Sequence, residues 1–289
     1  MKTIEYKGRV VFQKIQLSSF KRIERMHYEN EACFAFVKRG EYKVRDQNQL
    51  VDVNPSTALL AKCMNYFYES KDYPKESHCD DEAIGVFLYP EIYQNLFEFD
   101  FSKSQHTVDY NLKQIQVDSL LTHYRNGIDV LLDSPELADE FLIENKLREL
   151  VILMAKKVNA PSEMDFLASI FKPTYAKLEE VIKANLYADL SLDELAALSH
   201  MSLSTFKRKF KEIYNESPKK YVNRQKIEKA KALLKLNQYR ISDIVFEVGF
   251  DSIPTFNRAF KLQTGQSPTE FKNSQIAPVY QMGTAKNSH

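Results

Sequence analysis

The stretch Gly249-Phe250-Asp251-Ser252-Ile253-Pro254-Thr255-Phe256-Asn257-Arg258-Ala259-Phe260-Lys261 has a weaker copy about fifty residues upstream, His200-Met201-Ser202-Leu203-Ser204-Thr205-Phe206-Lys207-Arg208-Lys209-Phe210-Lys211. Phe206 matches Phe256, Arg208 matches Arg258, Phe210 matches Phe260 and Lys211 matches Lys261. The match continues downstream, where Ser217-Pro218 answers Ser267-Pro268 and Tyr221 answers Phe271. A supersecondary unit that recurs at a fixed offset is an architectural signal. This one has the form of two helix-turn-helix units.

Each unit is readable from its residues. Ser191 followed by Glu194 is a capping-box pattern, so a helix is expected from Leu192. Leu195, Ala196 and Leu198 form its apolar side, His200-Met201-Ser202 is a short turn, and Ser202 or Ser204 caps the next helix. On that helix Phe206 and Phe210 are four residues apart and share one face. The second unit repeats the plan, with Ile244-Val245 in place of Leu195-Ala196 and Gly249 at the turn. Its first helix starts near Arg240, a poorer N-cap than Ser191. Asn215 and Gly265 stand where the two second helices should end, and these residue types best tolerate a left-handed cap.

From Thr174 to Lys272 the sequence resembles the AraC/XylS family of bacterial transcription regulators, with Gly249 to Pro268 carrying the most specific part of the likeness. The resemblance implies two recognition helices joined by one long helix, here Lys219 to Leu236, and reaching successive major-groove faces. Such a helix spans roughly 27 Å, on the scale of one DNA turn. By position, the groove-facing residues would be Ser204, Thr205, Lys207 and Arg208 in the first unit, and Pro254, Thr255, Asn257 and Arg258 in the second. The sequence departs from many relatives at Ile253-Pro254, although proline suits a first helical turn. The partners implied are a promoter duplex and RNA polymerase, and the implied activity is activation.

Charge agrees once the chain is divided. The whole has 40 basic and 39 acidic side chains, yet Pro173 to Gln275 has 17 against 12 and Met1 to Lys172 has 22 against 27. Arginine suits bidentate contact to guanine and lysine suits phosphate as a point charge. Arg208 and Arg258 are therefore assigned to bases, and Lys211, Lys219, Lys220 and Lys261 to phosphates. Lys226, Lys229, Lys231 and Lys235 read as the solvated face of the joining helix.

Residues 1 to about 110 have another texture. Val10-Val11-Phe12, Cys33-Phe34-Ala35-Phe36-Val37, Tyr42-Lys43-Val44, Ala58-Leu59-Leu60-Ala61, Tyr66-Phe67-Tyr68 and Ile84-Gly85-Val86-Phe87-Leu88 are short apolar runs separated by turn-like segments. Closely spaced short strands of this kind suggest a β-barrel or sandwich, and the arrangement resembles the cupin-like β-barrel carried by many AraC-like regulators. Leu120, Leu121, Tyr124, Ile128 and Leu131, then Leu137, Phe141, Leu147, Leu150, Val151 and Met154, recur at helical spacing. The fold class expected is thus α+β: a cupin-like regulatory and dimerisation domain over 1–157, with its helical part at about 118–157, and an all-α double helix-turn-helix domain over 173–275. The stretch 158–172, with Asn159-Ala160-Pro161-Ser162, reads as a linker, and 276–289 as a flexible tail. Similar regulators dimerise through a helical pair after the β domain, so the resemblance implies a homodimer through the helices at about 118–157, the alternative being that they only cap the barrel.

Enzyme chemistry is not expected. The six histidines are scattered without a His-x-His pair, and His78-Cys79-Asp80 is the nearest approach to a ligand cluster. Three cysteines without Cys-x-x-Cys spacing cannot build a four-cysteine zinc site, and no phosphate-binding glycine loop is present. No cofactor or metal is expected. The segment Met1-Lys2-Thr3-Ile4-Glu5 is not apolar, no run approaches eighteen apolar residues, and unpaired cysteines fit a reducing cytoplasm. Two classes compete for the N-terminal domain: one binds a small effector, the other serves dimerisation or docks a regulatory protein.

Overall fold

The computed structural model describes residues 2–17, 20–25, 31–62, 64–71 and 81–276. They divide into two compact units, with the boundary between Ala176 and Lys177.

The first unit contains β1 (Lys2–Tyr6), β2 (Arg9–Leu17), β3 (Ile23–Arg25), β4 (Ala32–Arg39), β5 (Tyr42–Arg45) and β6 (Leu50–Val53). After these come β7 (Thr57–Ala61), β8 (Tyr66–Ser70), β9 (Asp81–Leu88), helix α1 (Pro90–Phe97) and β10 (Leu112–Gln116). All six apolar runs noted above lie in strands, whereas β1, β3, β6 and β10 carry too little apolar alternation to stand out. The strands form two antiparallel sheets, ordered β1-β2-β9-β4-β7-β10 and β3-β8-β5-β6. Among the described residues both sheets are open, so the expected cupin-like β domain is built as two open sheets rather than one barrel. Among the described residues the edge strands β3 and β6 have three and four residues, and no ladder joins either to the larger sheet.

Strand alternation gives the larger sheet two unlike faces. Phe34, Phe36, Ile84 and Val86 are fully buried, and Phe36 lies 6.2 Å from the Tyr124 ring of the helical layer. Their neighbours Cys33, Ala35, Val37, Ala83 and Gly85 point the other way, between the sheets. The helical layer consists of α2 (Ser119–Asp133), α3 (Glu140–Lys157) and α4 (Glu163–Ile170). Asp118, Asp139 and Ser162 cap the three helices by accepting backbone N–H bonds from Leu121, Leu142 and Asp165. Lys14 and Lys38 each approach Asp129 to 2.6 Å and pin α2 to the sheet. Of the residues placed on these helices by periodicity, Leu121, Tyr124, Ile128, Leu131, Leu147, Leu150, Val151 and Met154 are buried, while Leu120, Leu137 and Phe141 face outward.

The expected linker at 158–172 is not one. It contains α4, whose Phe166, Leu167 and Ile170 are buried in the same core as the sheets. Beyond it the chain is strapped to the first unit by buried polar side chains. The Asn111 amide donates to the Thr174 carbonyl at 2.7 Å and accepts the Thr174 N–H at 3.0 Å. Gln47 accepts the Ala176 N–H at 2.6 Å, and Lys62 donates to the Lys172 carbonyl at 3.1 Å. Proline and serine at 161–162 start a packed helix rather than a free connection, because three apolar side chains follow at helical spacing. His78-Cys79-Asp80 and the tail beyond Ile276 lie outside the described residues.

The second unit is all helical: α5 (Leu178–Asn185), α6 (Leu192–Leu198), α7 (Leu203–Tyr214), α8 (Pro218–Leu236), α9 (Ile241–Glu247), α10 (Ile253–Thr264) and α11 (Pro268–Ile276). It has two separate apolar clusters rather than one. Leu178, Ile182, Leu195, Ala196, Phe206 and Phe210 form the first. Ile227, Leu234, Ile244, Val245, Phe256 and Phe260 anchor the second.

Candidate nucleic-acid interface

The two helix-turn-helix units are built by local chemistry. Ser191 and Glu194 cap α6 reciprocally: the Ser191 N–H donates to Glu194 Oε2 at 2.6 Å and the Glu194 N–H to Ser191 Oγ at 3.2 Å. Arg240, at the matching place before α9, makes no side-chain cap. The turns need a left-handed residue, supplied by His200 at φ +52° and Gly249 at φ +80°. Two residues separate His200 from the start of α7 at Leu203, and three separate Gly249 from α10 at Ile253. The first helices of the units are thus 49 residues apart and the second helices 50, with Asp251 as the extra residue. Burial lowers the His200 pKa below the ordinary histidine value.

The second helices, α7 and α10, match closely. Ser202 caps α7 and Ser252 caps α10, and Asn215 at φ +55° and Gly265 at φ +78° end them in left-handed caps. Phe206, Phe210, Phe256 and Phe260 are fully buried, as their spacing required. Ser204, Lys207, Arg208 and Lys211 are all exposed, and at spacing i, i+3, i+4, i+7 they form one stripe. Pro254, Asn257, Arg258 and Lys261 form the same stripe on α10. Thr205 and Thr255 lie on the flanks, each with its hydroxyl bonded to the capping serine, at 3.0 Å from Ser202 and 2.8 Å from Ser252. The stripes differ in one respect: Arg208 is bonded to Glu212, whereas Arg258 has no ion-pair partner among the described residues.

The joining helix α8 has 19 residues, capped by Ser217, begun by Pro218 and ended by a left-handed Asn237. Lys219 and Lys220 are exposed at its start. The solvated-face reading of its lysines holds for Lys235 and fails for Lys226, which is buried and bonded within the unit. Lys229 is also engaged, with Glu247 at 2.8 Å and over the Tyr187 ring at 4.3 Å. A charged residue on a helix says nothing by itself of a carbonyl waiting opposite it.

A helix-turn-helix domain model matches residues 195–274, and a model of the ExsA N-terminal regulatory domain matches residues 32–166. The chain belongs to the AraC family of transcription regulators. An uncharacterized HTH-type transcriptional regulator of Staphylococcus aureus is 22% identical over 293 residues, covering 94% of this chain and 35% of that protein. The virulence regulon transcriptional activator VirF of Yersinia enterocolitica is 26% identical over 136 residues, covering 47% of this chain and 50% of the activator. The AraC-family chain thus spans between about a third and a half of the length of these relatives. Among solved structures, ToxT from Vibrio cholerae O395 aligns over 93% of this chain and 99% of its own, at 16% identity and a TM-score of 0.36.

The N-terminal unit contributes a cavity between its sheets of about 390 Å³. Ala35, Ala83 and Gly85 leave the space, and Phe20, Tyr42 and Tyr68 wall the opposite side. Small side chains on one strand face against bulky ones on the other make this hollow, a contrast present in the alternation Phe34-Ala35-Phe36 and Ala83-Ile84-Gly85-Val86. Among the described residues no cluster of metal-ligating side chains occurs, and no helix is long and apolar enough to cross a membrane.

Proposed function

We propose that this chain is a sequence-specific, double-stranded-DNA-binding transcription regulator of the cytoplasm, an activator controlled through its N-terminal unit. The observation that carries this reading is the pair of matching exposed stripes on α7 and α10, each on a helix with the same capping and the same buried phenylalanine pair. Arg208, Arg258, Asn257, Ser204 and Lys207 are proposed to face base edges, with Thr205, Pro254 and Thr255 at the helix starts against the groove wall. Lys211, Lys261, Lys219 and Lys220 are proposed to meet phosphates. RNA polymerase is the proposed partner in activation. Duplexes selected by the full chain from a random pool, then footprinted, test this: one conserved sequence is expected, and a random collection of retained duplexes would refute it.

Two readings of the N-terminal unit each have an observation behind them. The apolar cavity favours an effector of low polarity held between the sheets. The outward Leu120 on α2, Phe141 on α3 (75% exposed) and Leu137 in the turn between them favour a homodimer or a regulatory protein on this helical layer. Saturable binding of a neutral apolar dye that a metabolite displaces supports the first. A concentration-dependent mass shift abolished by Phe141→Glu supports the second.

A further inference from the structure

The two apolar clusters of the second unit do not merge. A small polar junction beside α8 links the two helix-turn-helix units. Lys226, on α8 and only 7% exposed, donates to the Gly249 carbonyl in the turn of the second helix-turn-helix at 2.5 Å. Its ammonium also lies 3.5 Å from the Ala188 carbonyl, in the connection that leads from α5 to α6 of the first. It sits 5.5 Å from the centre of the Phe250 ring. Gly249 itself is pressed against that same connection: a Cβ there would stand 2.2 Å from the Tyr187 carbonyl oxygen. Lys229, one turn along α8, closes the contact by holding Glu247 while covering the Tyr187 ring.

A buried ammonium costs several kcal/mol in desolvation and stays only where acceptors converge on it. Here the acceptors come from both units, and this buried cation touches them together. Removing it takes from the Gly249 and Ala188 carbonyls the donor they share. The helices of each unit keep their own cores.

We infer that Lys226 is a positioning residue that fixes the angle between the two helix-turn-helix units and thereby the spacing of the DNA segments they read. This rests on the proposed two-unit DNA reading for its consequence, though not for its geometry. Without the lysine each recognition helix still docks, but their separation is no longer set, so the protein tolerates half-sites at the wrong distance.

The test has one arm without DNA. Spin labels are placed on the full chain at Lys209→Cys and Leu262→Cys, with Cys33, Cys63 and Cys79 replaced by alanine, and the inter-label distance distribution is measured by pulsed electron resonance. The Lys226→Met protein should show a distribution about twice as wide as the parent, with unchanged helical content, and Lys226→Arg, which can still donate to the Gly249 carbonyl, should restore the narrow one. In the second arm, a duplex selected by the parent is lengthened by one base pair between its two protected segments. The parent should lose about tenfold in affinity and Lys226→Met only about twofold. An unchanged width in Lys226→Met, or a spacing penalty equal to the parent's, overturns the inference. If the parent protects only one groove segment, the two-unit reading of DNA falls, and the distance distributions still decide the role of Lys226.

Discussion

Arg208 Nη1 donates to Glu212 Oε1 at 3.1 Å across one turn of α7, while Arg258, its counterpart on α10, has Leu262 at the corresponding place, 89% exposed. Both arginines sit on the same stripe, but one must release a partner to meet a base. An exposed i,i+4 pair is worth only about 0.3–0.5 kcal/mol, so the release is cheap yet measurable. Arg258→Ala should cost about 1–3 kcal/mol against the best duplex and relax preference at its base. Arg208→Ala should act in the same way with a smaller loss, and Glu212→Ala should tighten binding. Competition binding against single-base variants measures all three. A uniform loss with preference intact would assign these arginines to phosphates instead.

Lys211 and Lys261 end the two stripes and have no base-reading fork. Lys211→Ala should weaken all duplexes about equally and lower the slope of log affinity against log salt by about 0.9. Titrations at several salt concentrations, on selected and scrambled duplexes, separate this from the arginine effect.

Two glycines with nearly the same φ should respond differently to alanine. Gly265 ends α10 at φ +78° with nothing within 4 Å of where an added methyl would sit, so Gly265→Ala carries only the left-handed strain of about 1–2 kcal/mol. Gly265→Asn should cost less, since Asn215 ends α7 in the same conformation. Gly249→Ala adds a collision with the Tyr187 carbonyl, and its loss in urea unfolding should exceed that of Gly265→Ala.

His200 should make stability depend on pH. Burial holds its folded pKa below the ordinary value near 6.5. The unfolded chain therefore binds a proton first as pH falls, and stability is lost below about pH 6.5 rather than gained. His200→Asn tolerates the left-handed turn and cannot titrate, so its unfolding free energy should be flatter between about pH 7.5 and 5.5. An equal slope in both proteins would place the acid sensitivity elsewhere.

The cavity between the sheets offers a further comparison. Ala35→Leu puts three more carbons into the hollow that Ala35, Ala83 and Gly85 leave. The neutral dye N-phenylnaphthylamine should fluoresce with the parent chain and not with Ala35→Leu, at unchanged circular dichroism. Equal fluorescence from both would move the dye, and the proposed effector, out of this cavity.

What can be read in advance follows from how far each signal reaches. Ser191 with Glu194, Asn215, Gly265 and the phenylalanine pairs act within a turn or two of themselves, and the structure places each as its local chemistry requires. The strand runs are visible because they are apolar, whereas β1 and β10 are held by partners that alternation does not reveal. Whether two sheets join at their edges depends on pairing between distant strands, which alternation does not encode either. Lys226 reads as solvated because its acceptors belong to residues 188 and 249, brought to it only by the fold. Ala160-Pro161-Ser162 resembles a linker because loop composition also describes a helix start.

The central claim is that one chain reads two successive major-groove segments through α7 and α10. Hydroxyl-radical and methylation footprinting on duplexes selected by the full chain tests it most directly. Two protected major-groove segments about one helical turn, roughly 34 Å, apart per protomer are expected, with Arg258→Ala erasing protection of bases in one and Arg208→Ala in the other. Protection of a single segment per protomer, unaffected by one of the two substitutions, would contradict the account.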